Sequence, residues 1–218
     1  MRRKQIILFF LFFVFYSFAS IAITVEEITK PLREKYQNSN TFIIYYQQHT
    51  QVKGLDKTDK FKGKIVFSKP DHFRWEGVDP EGRRQIIIIA KQDMLIYLTE
   101  TDQLMKRKIL GSFEKQLKNR YIPWLNISND MRTKYIDAEV YKGKDVYKLE
   151  ILPERSDEYK SMFFWVGENN QNVVKVEIID TAENRTTLFF DSTIFTKEIP
   201  GEEFIFKPKP GTQIMEID

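Results

Sequence analysis

The chain has 218 residues, no cysteine, and 34 basic against 31 acidic side chains, a formal charge of +3. The lack of cysteine excludes disulfides and a lipidated cysteine, and it suits an exported bacterial protein better than a small disulfide-stapled secreted domain. The excess of positive charge is Arg2, Arg3 and Lys4 alone, so the rest of the chain is formally neutral and the basic isoelectric point is no argument for nucleic acid.

Those three charges precede a predominantly apolar run, Ile6 to Phe18, and Ser20-Ile21-Ala22 follows with small residues at the −3 and −1 positions of a cleavage site. Residues 1–22 therefore read as a secretory signal peptide and residues 23–218 as one domain. The alternative is an uncleaved N-terminal anchor, although the apolar run is shorter than the ~20 residues of a usual membrane span.

Thr24 and Glu27 have the form of a capping box, and Val25, Ile28, Leu32 and Tyr36 follow at helical spacing with Pro31 as an expected kink. From Thr41 the period changes to two. Strands are predicted at 41–51, 61–68, 72–75, 85–90, 94–99 and 103–109. Gly111-Ser112 opens a second helical segment, with Phe113, Leu117, Tyr121 and Trp124 on one side and Pro123 distorting its end. Further strands are predicted at 134–141, 145–152, 161–167, 173–180, 186–190 and 204–207. Tyr147, Leu149 and Ile151 oppose Lys148 and Glu150, and Val174, Val176 and Ile178 oppose Lys175 and Glu177. One apolar and one solvated face per strand point to an antiparallel sheet, and the fold class is mainly β with a few helices.

Two short helices are few for a sheet of that area. Either the sheet closes into a barrel, or it curls and leaves a cavity under a partial lid. Its expected inward aromatic set is Phe42, Tyr46, Phe61, Phe67, Phe73, Trp75, Phe163, Trp165, Phe204 and Phe206. Such stripes are more often plain core than ligand wall. Histidine occurs only as His49 and His72, with no nucleophile elbow, no zinc-ligand spacing and no glycine-rich phosphate loop. No enzyme, cofactor or metal is expected.

The segment FKGKIVFSKPDHFRWEGVDP, residues 61–80, runs apolar strand, basic residue, proline, two spacers, Phe-Arg-Trp and a later proline. With Phe42, Tyr46 and Gln48, with Leu149 and Pro153, with VVKVEIIDTAENRTTLFF at 173–190 and with the closing Phe204-Ile205-Phe206-Lys207-Pro208 and Pro210-Gly211, it resembles the LolA family of periplasmic outer-membrane lipoprotein carriers. The resemblance implies an open half-barrel whose hydrophobic cavity, capped by short helices, shelters acyl chains. Carried onto this chain, the cavity would be lined by Phe42, Ile44, Tyr46, Phe61, Ile65, Phe67, Trp75, Ile96, Leu149, Ile151, Val176 and Phe204, with Lys69, Phe73 and Arg74 as a rim for fastening the lid and docking. It further implies a periplasmic monomer, acylated lipoproteins as cargo, an inner-membrane ABC-type releasing complex and an outer-membrane acceptor. Three positions depart from the pattern: Lys69 stands where the family often has a lid-fastening Arg, Gln92-Asp93-Met94 replaces an Asp-Gly turn, and Asn184 replaces a turn Gly. Lysine offers a point charge rather than a planar fork, so the latch is expected to be weaker or to move to Arg74. A module of the same shape, tethered by an uncleaved N-terminus and reading lipids or envelope stress, is the second reading.

Overall fold

The computed structural model describes residues 23–109, 132–152 and 159–217. The expected signal peptide, the second helical segment with Phe113, Leu117, Tyr121, Pro123 and Trp124, and Pro153 lie outside the described residues.

Helix α1 (Val25–Asn38) begins at the capping box. The Glu27 amide donates to Thr24 Oγ1 at 3.2 Å, and the Thr24 amide donates back to the Glu27 carboxylate at 2.7 Å. Two orphan backbone donors are thereby satisfied. The helix runs on through Pro31, which removes one donor without ending it. Ile28, Leu32 and Tyr36 form its buried stripe.

The strands follow in two meanders. β1 (Thr41–Gln51) is succeeded by β2 (Thr58–Ser68), β3 (His72–Val78), β4 (Arg84–Ala90), β5 (Asp93–Leu98) and β6 (Gln103–Lys108). The second meander holds β7 (Arg132–Tyr141), β8 (Lys144–Leu152), β9 (Tyr159–Gly167), β10 (Val173–Asp180) and β11 (Arg185–Thr196). β11 returns to pair with β1, so β1 lies between the two meanders in one sheet of order β12-β6-β5-β4-β3-β2-β1-β11-β10-β9-β8-β7. β12 (Gln213–Glu216) runs parallel to its neighbour β6. The sheet ends at β12 and β7 without closing, so the curled, open alternative is the one adopted.

Cross-strand register assigns the faces. Phe42 pairs with Phe67, Phe67 with Phe73, Phe73 with Ile89, and Ile89 with Met94, giving one continuous inner row. A bulge leaves Asp191 extra between the pairs Tyr45–Ser192 and Tyr46–Phe190. With Phe190 and Leu188 inward, it breaks the alternation at Asp191, so the pattern of the expected strand 186–190 stops there while β11 runs on to Thr196. A second irregularity in β10 buries Val173 rather than Val174.

Gly63 and Gly77 face each other across β2 and β3. A Cβ on Gly63 would lie 1.8 Å from the Glu76 carbonyl oxygen, and one on Gly77 would lie 2.9 Å from the Tyr46 hydroxyl. Only glycine permits this approach. The Tyr46 hydroxyl donates to the Glu76 carbonyl at 3.2 Å and also accepts from the Trp75 indole N–H.

The inner core runs from α1 across the sheet and includes Phe42, Ile44, Ile65, Phe73, Leu149, Phe164 and Val176. A smaller core lies on the outer face, where Val66, Ile86, Ile88, Tyr97 and Leu104 are covered by Ile199 and Phe204. The expected strand at 204–207 does not form. Phe204 ends a 3-10 turn (Gly201–Phe204), and the chain beyond it crosses the outer face without regular structure until β12.

Candidate functional site

The inner face is the candidate site. α1 lies on it through Ile28, Leu32 and Tyr36, and Tyr36 meets Phe42 and Phe195 edge-on at 5.3 and 5.2 Å. Trp75, Ile87, Ile96, Tyr135, Tyr147 and Ile178 pack against the same core but are only half-buried. The face is thus fully packed beneath the helix and less tightly covered away from it.

Of the residues expected to line a cavity, Phe42, Ile44, Tyr46, Ile65, Phe67, Leu149, Ile151 and Val176 come together in the inner core, and Trp75 and Ile96 pack against it. Phe61 continues their row at its far end, directly beside Gly77. Phe204 does not join them. It sits on the outer face, with its ring 5.1 Å from that of His72. Phe206 is outward as well, 4.6 Å from Tyr97. Phe163 and Trp165 also face outward. The inward member of that aromatic run is Phe164, paired with Leu149 and Val176. Trp165 lies there outside the inner core: the Lys175 and Lys148 ammonium groups lie over its ring at 3.7 and 5.1 Å, and its N–H donates to Glu139 at 2.9 Å.

The expected rim divides three ways. Lys69 reaches the helix: its ammonium donates to the Gln37 carbonyl in the last turn of α1 at 2.5 Å. That carbonyl belongs to the electronegative end of the helix, which favours a cation. Phe73 is no rim residue. It is 0% exposed, in the middle of the inner row. Alternation with Trp75 puts it inside, on the same face. Arg74, the residue between them, necessarily points out. It grips Glu76 through Nε and Nη2 at 3.0 and 2.7 Å and donates from Nη1 to the Glu203 carbonyl at 3.0 Å. With Lys64 bonded to the Glu203 carboxylate at 2.7 Å, this clasp holds the C-terminal segment on the outer face, not the helix on the inner one. Burial opposes ionisation of Glu76 more than any other single influence. The Arg74 hydrogen bonds, with the charges of Arg74, Arg84 and Lys64, outweigh it and hold the carboxyl below its ordinary range.

A second helix clasp was not visible in the sequence. Lys35 donates to the Asn170 carbonyl at 2.8 Å and to Asn172 Oδ1 at 2.6 Å, and it lies 5.0 Å over the Phe195 ring. Partial burial lowers its pKa. Both clasps act on the C-terminal half of α1. Arg33, earlier in the helix, bonds within it to Thr29 and Glu26. Sequence reasoning also missed Ile89, Met94, Met162, Leu188 and Phe190 as inner-face residues. The first three lie in runs apolar on both sides, and the alternation that would mark the last two breaks at Asp191.

The sequence profile described as "Outer membrane lipoprotein carrier protein LolA" matches residues 37–207. An outer-membrane lipoprotein carrier protein of Chromobacterium violaceum is 24% identical over 190 residues, covering 86% of each chain. One from Albidiferax ferrireducens is 25% identical over 162 residues, covering 70% of this chain and 72% of its own. Among solved structures, an uncharacterized conserved protein from Thermus thermophilus shares the fold with a TM-score of 0.56 at 13% identity, over 88% of this chain and 98% of that one.

Proposed function

Given that the chain belongs to the LolA family, we propose that it carries acylated lipoproteins across the periplasm, sheltering their acyl chains on the inner face of the open sheet. The observation that carries the reading is that, among the described residues, this apolar face is covered by a short helix clasped at its C-terminal end, with half-buried Trp75, Ile87, Ile96 and Ile178 also packed on the face, rather than by a second sheet. Burial of hydrocarbon contributes roughly 0.8 kcal/mol per methylene, so a multiply acylated protein crosses water only if a comparable apolar surface accompanies it. A cover attached at one end can rise without unfolding the sheet.

In the full reading, residues 1–22 are a signal peptide removed before Ile23, and the protein works as a monomer. It receives cargo from an inner-membrane ABC-type complex and delivers it to the outer membrane. Its role is that of a binding chaperone without catalysis. The N-terminal apolar run, Ile6 to Phe18, supports the second reading of a tethered lipid-sensing module. N-terminal sequencing of the native protein separates the two: a start at Ile23 supports the carrier, and a start at Met1 in carbonate-washed membranes supports the tether.

The binding claim is tested with a fluorescent fatty-acyl probe. Ile96→Glu places a carboxylate on the inner face at a half-buried position, so the fold can tolerate it, and Glu150→Gln alters the outer face of β8. Probe binding should fall at least tenfold in the first variant and be unchanged in the second. Equal binding by both would refute the assignment.

A further inference from the structure

The inner rows change character along their length. At the end carrying the β2–β3 and β4–β5 turns they are Phe42, Phe67, Phe73, Ile89 and Met94, all buried. Following the same rows to the other end of the strands, β1 reaches Gln48 and Thr50, β2 reaches Asp59, and the inward rows of β4 and β11 begin at Gln85 and Thr186. Gln48 donates to Thr50 at 3.1 Å, and the Thr50 and Thr186 hydroxyls lie 3.3 Å apart. An apolar surface on one side thus grades into a hydrogen-bonding one on the other.

At the polar end lies a recess of about 350 Å³ between the start of β2 and the β3–β4 turn, bounded by Phe61 and Leu98 and by the carboxylate of Asp79. Asp79 is buried and held by the Arg83 amide at 2.8 Å and by the Arg83 guanidinium. Arg83 reaches on to Glu81 and Glu100, and Lys57 pairs with Asp59 at 3.0 Å. The recess is lined by Lys57, Lys60, Arg83 and Arg84 against Asp59, Asp79, Glu81 and Glu100, so its charge balances. It is rich in donors and acceptors and has no preference for an anion.

Resting on the carrier reading, we infer that cargo seats in one direction. The hydrocarbon termini point toward the clasped end of the inner face, which is packed in this structure and receives them only as α1 rises, and the ester- and amide-bearing end, where acyl chains meet peptide, lies in the recess beyond Phe61. Three observations combine. The end under α1 is shut by Lys35 and Lys69 across the β9–β10 and β2–β3 turns. Ester carbonyls placed there would be buried among Phe42, Phe67 and Ile89 without donors, which is penalised. The cargo's folded part must stay outside, and at the recess the polar linkage meets polar and charged side chains, Lys60 among them, rather than the buried apolar rows.

The chain has no cysteine, so single labels are easily placed. Thr101→Cys, at the recess, and Gln92→Cys, in the β4–β5 turn, put an exposed fluorophore at opposite ends of β5, about 20 Å apart at ~3.3 Å per residue. Each labelled protein is loaded with a diacylated lipopeptide carrying a nitroxide either on the peptide or at the end of an acyl chain. The peptide nitroxide should quench the label at 101 and spare the one at 92, and the chain-terminal nitroxide should do the reverse. The inverted pattern, or equal quenching at both ends with the lipopeptide co-eluting, would overturn the direction and leave the carrier reading standing. Failure of the lipopeptide to co-elute at all would overturn both.

Discussion

Phe73→Ala separates the structure from the expectation that Phe73 is a rim residue. The side chain is 0% exposed, lies between Phe67 on β2 and Ile89 on β4, and meets the Trp75 ring at 6.5 Å. Its neighbours are held by ladders on both sides, so they can collapse into the vacated space only partially. Truncation of a buried phenylalanine then costs about 3–5 kcal/mol. That is a large share of the ~5–15 kcal/mol that holds a domain folded. For a domain of this size each kcal/mol moves Tm by about 2–4 °C, so the midpoint should fall by roughly 6–20 °C. Thermal melts followed by circular dichroism, with urea titrations to check that the m-value is unchanged, measure this. A loss of less than about 2 °C would mean that Phe73 is a solvated rim side chain and that the inner-face assignment of β3 is wrong.

Gly63→Ala sets a methyl group 1.8 Å from the Glu76 carbonyl, so β2 and β3 must part there. Its Tm should fall by an amount reflecting at least ~1–3 kcal/mol, whereas Gly201→Ala, with open space around it, should stay within ~0.5 kcal/mol of the parent. Lys69→Ala removes an exposed clasp, so global stability should change by less than ~1 kcal/mol. Amide exchange in the last turn of α1 should nevertheless accelerate, and unchanged exchange would show that the Gln37 bond restrains nothing. Hydrogen bonds from Lys53 and Lys160 hold the Glu183 carboxyl down to about 2 from an ordinary 4.5. A depressed folded-state pKa stabilises fully above the ordinary value and loses that contribution as pH falls. The Tm of Glu183→Gln should therefore converge on that of the parent between pH 4.5 and 2, and parallel curves across that window would refute the pairing.

Where one face of a strand is wet, its parity was legible. Leu149 and Ile151 against Lys148 and Glu150 could be assigned from alternation alone, and the pairing of β8 with β9 places them inward. Parity was lost where both faces are apolar. In Met162-Phe163-Phe164-Trp165 nothing in the run itself says which aromatic is inside, because Trp165 is covered from β8 and β10 by Lys148 and Lys175. Ile86–Ile89 is ambiguous for a related reason, since the C-terminal segment builds a second core on the outer face. That segment's spacing of Phe204 and Phe206 mimics a strand, but both rings serve as a cover in irregular chain. The Arg74–Glu203 contact that anchors it spans 129 residues and leaves no local signal. For Phe73 and Arg74, family resemblance suggested a shared rim, while simple alternation already required them to face opposite ways.

The central claim is that acyl chains occupy the inner face. Its most direct measurement is mass spectrometry of the native protein, isolated from the cell envelope without detergent, with its bound contents extracted and identified. The account predicts peptides or proteins bearing acyl chains, retained by the parent and lost from Ile96→Glu. Parent protein that carries no acylated species, or that retains them equally in Ile96→Glu, would contradict it.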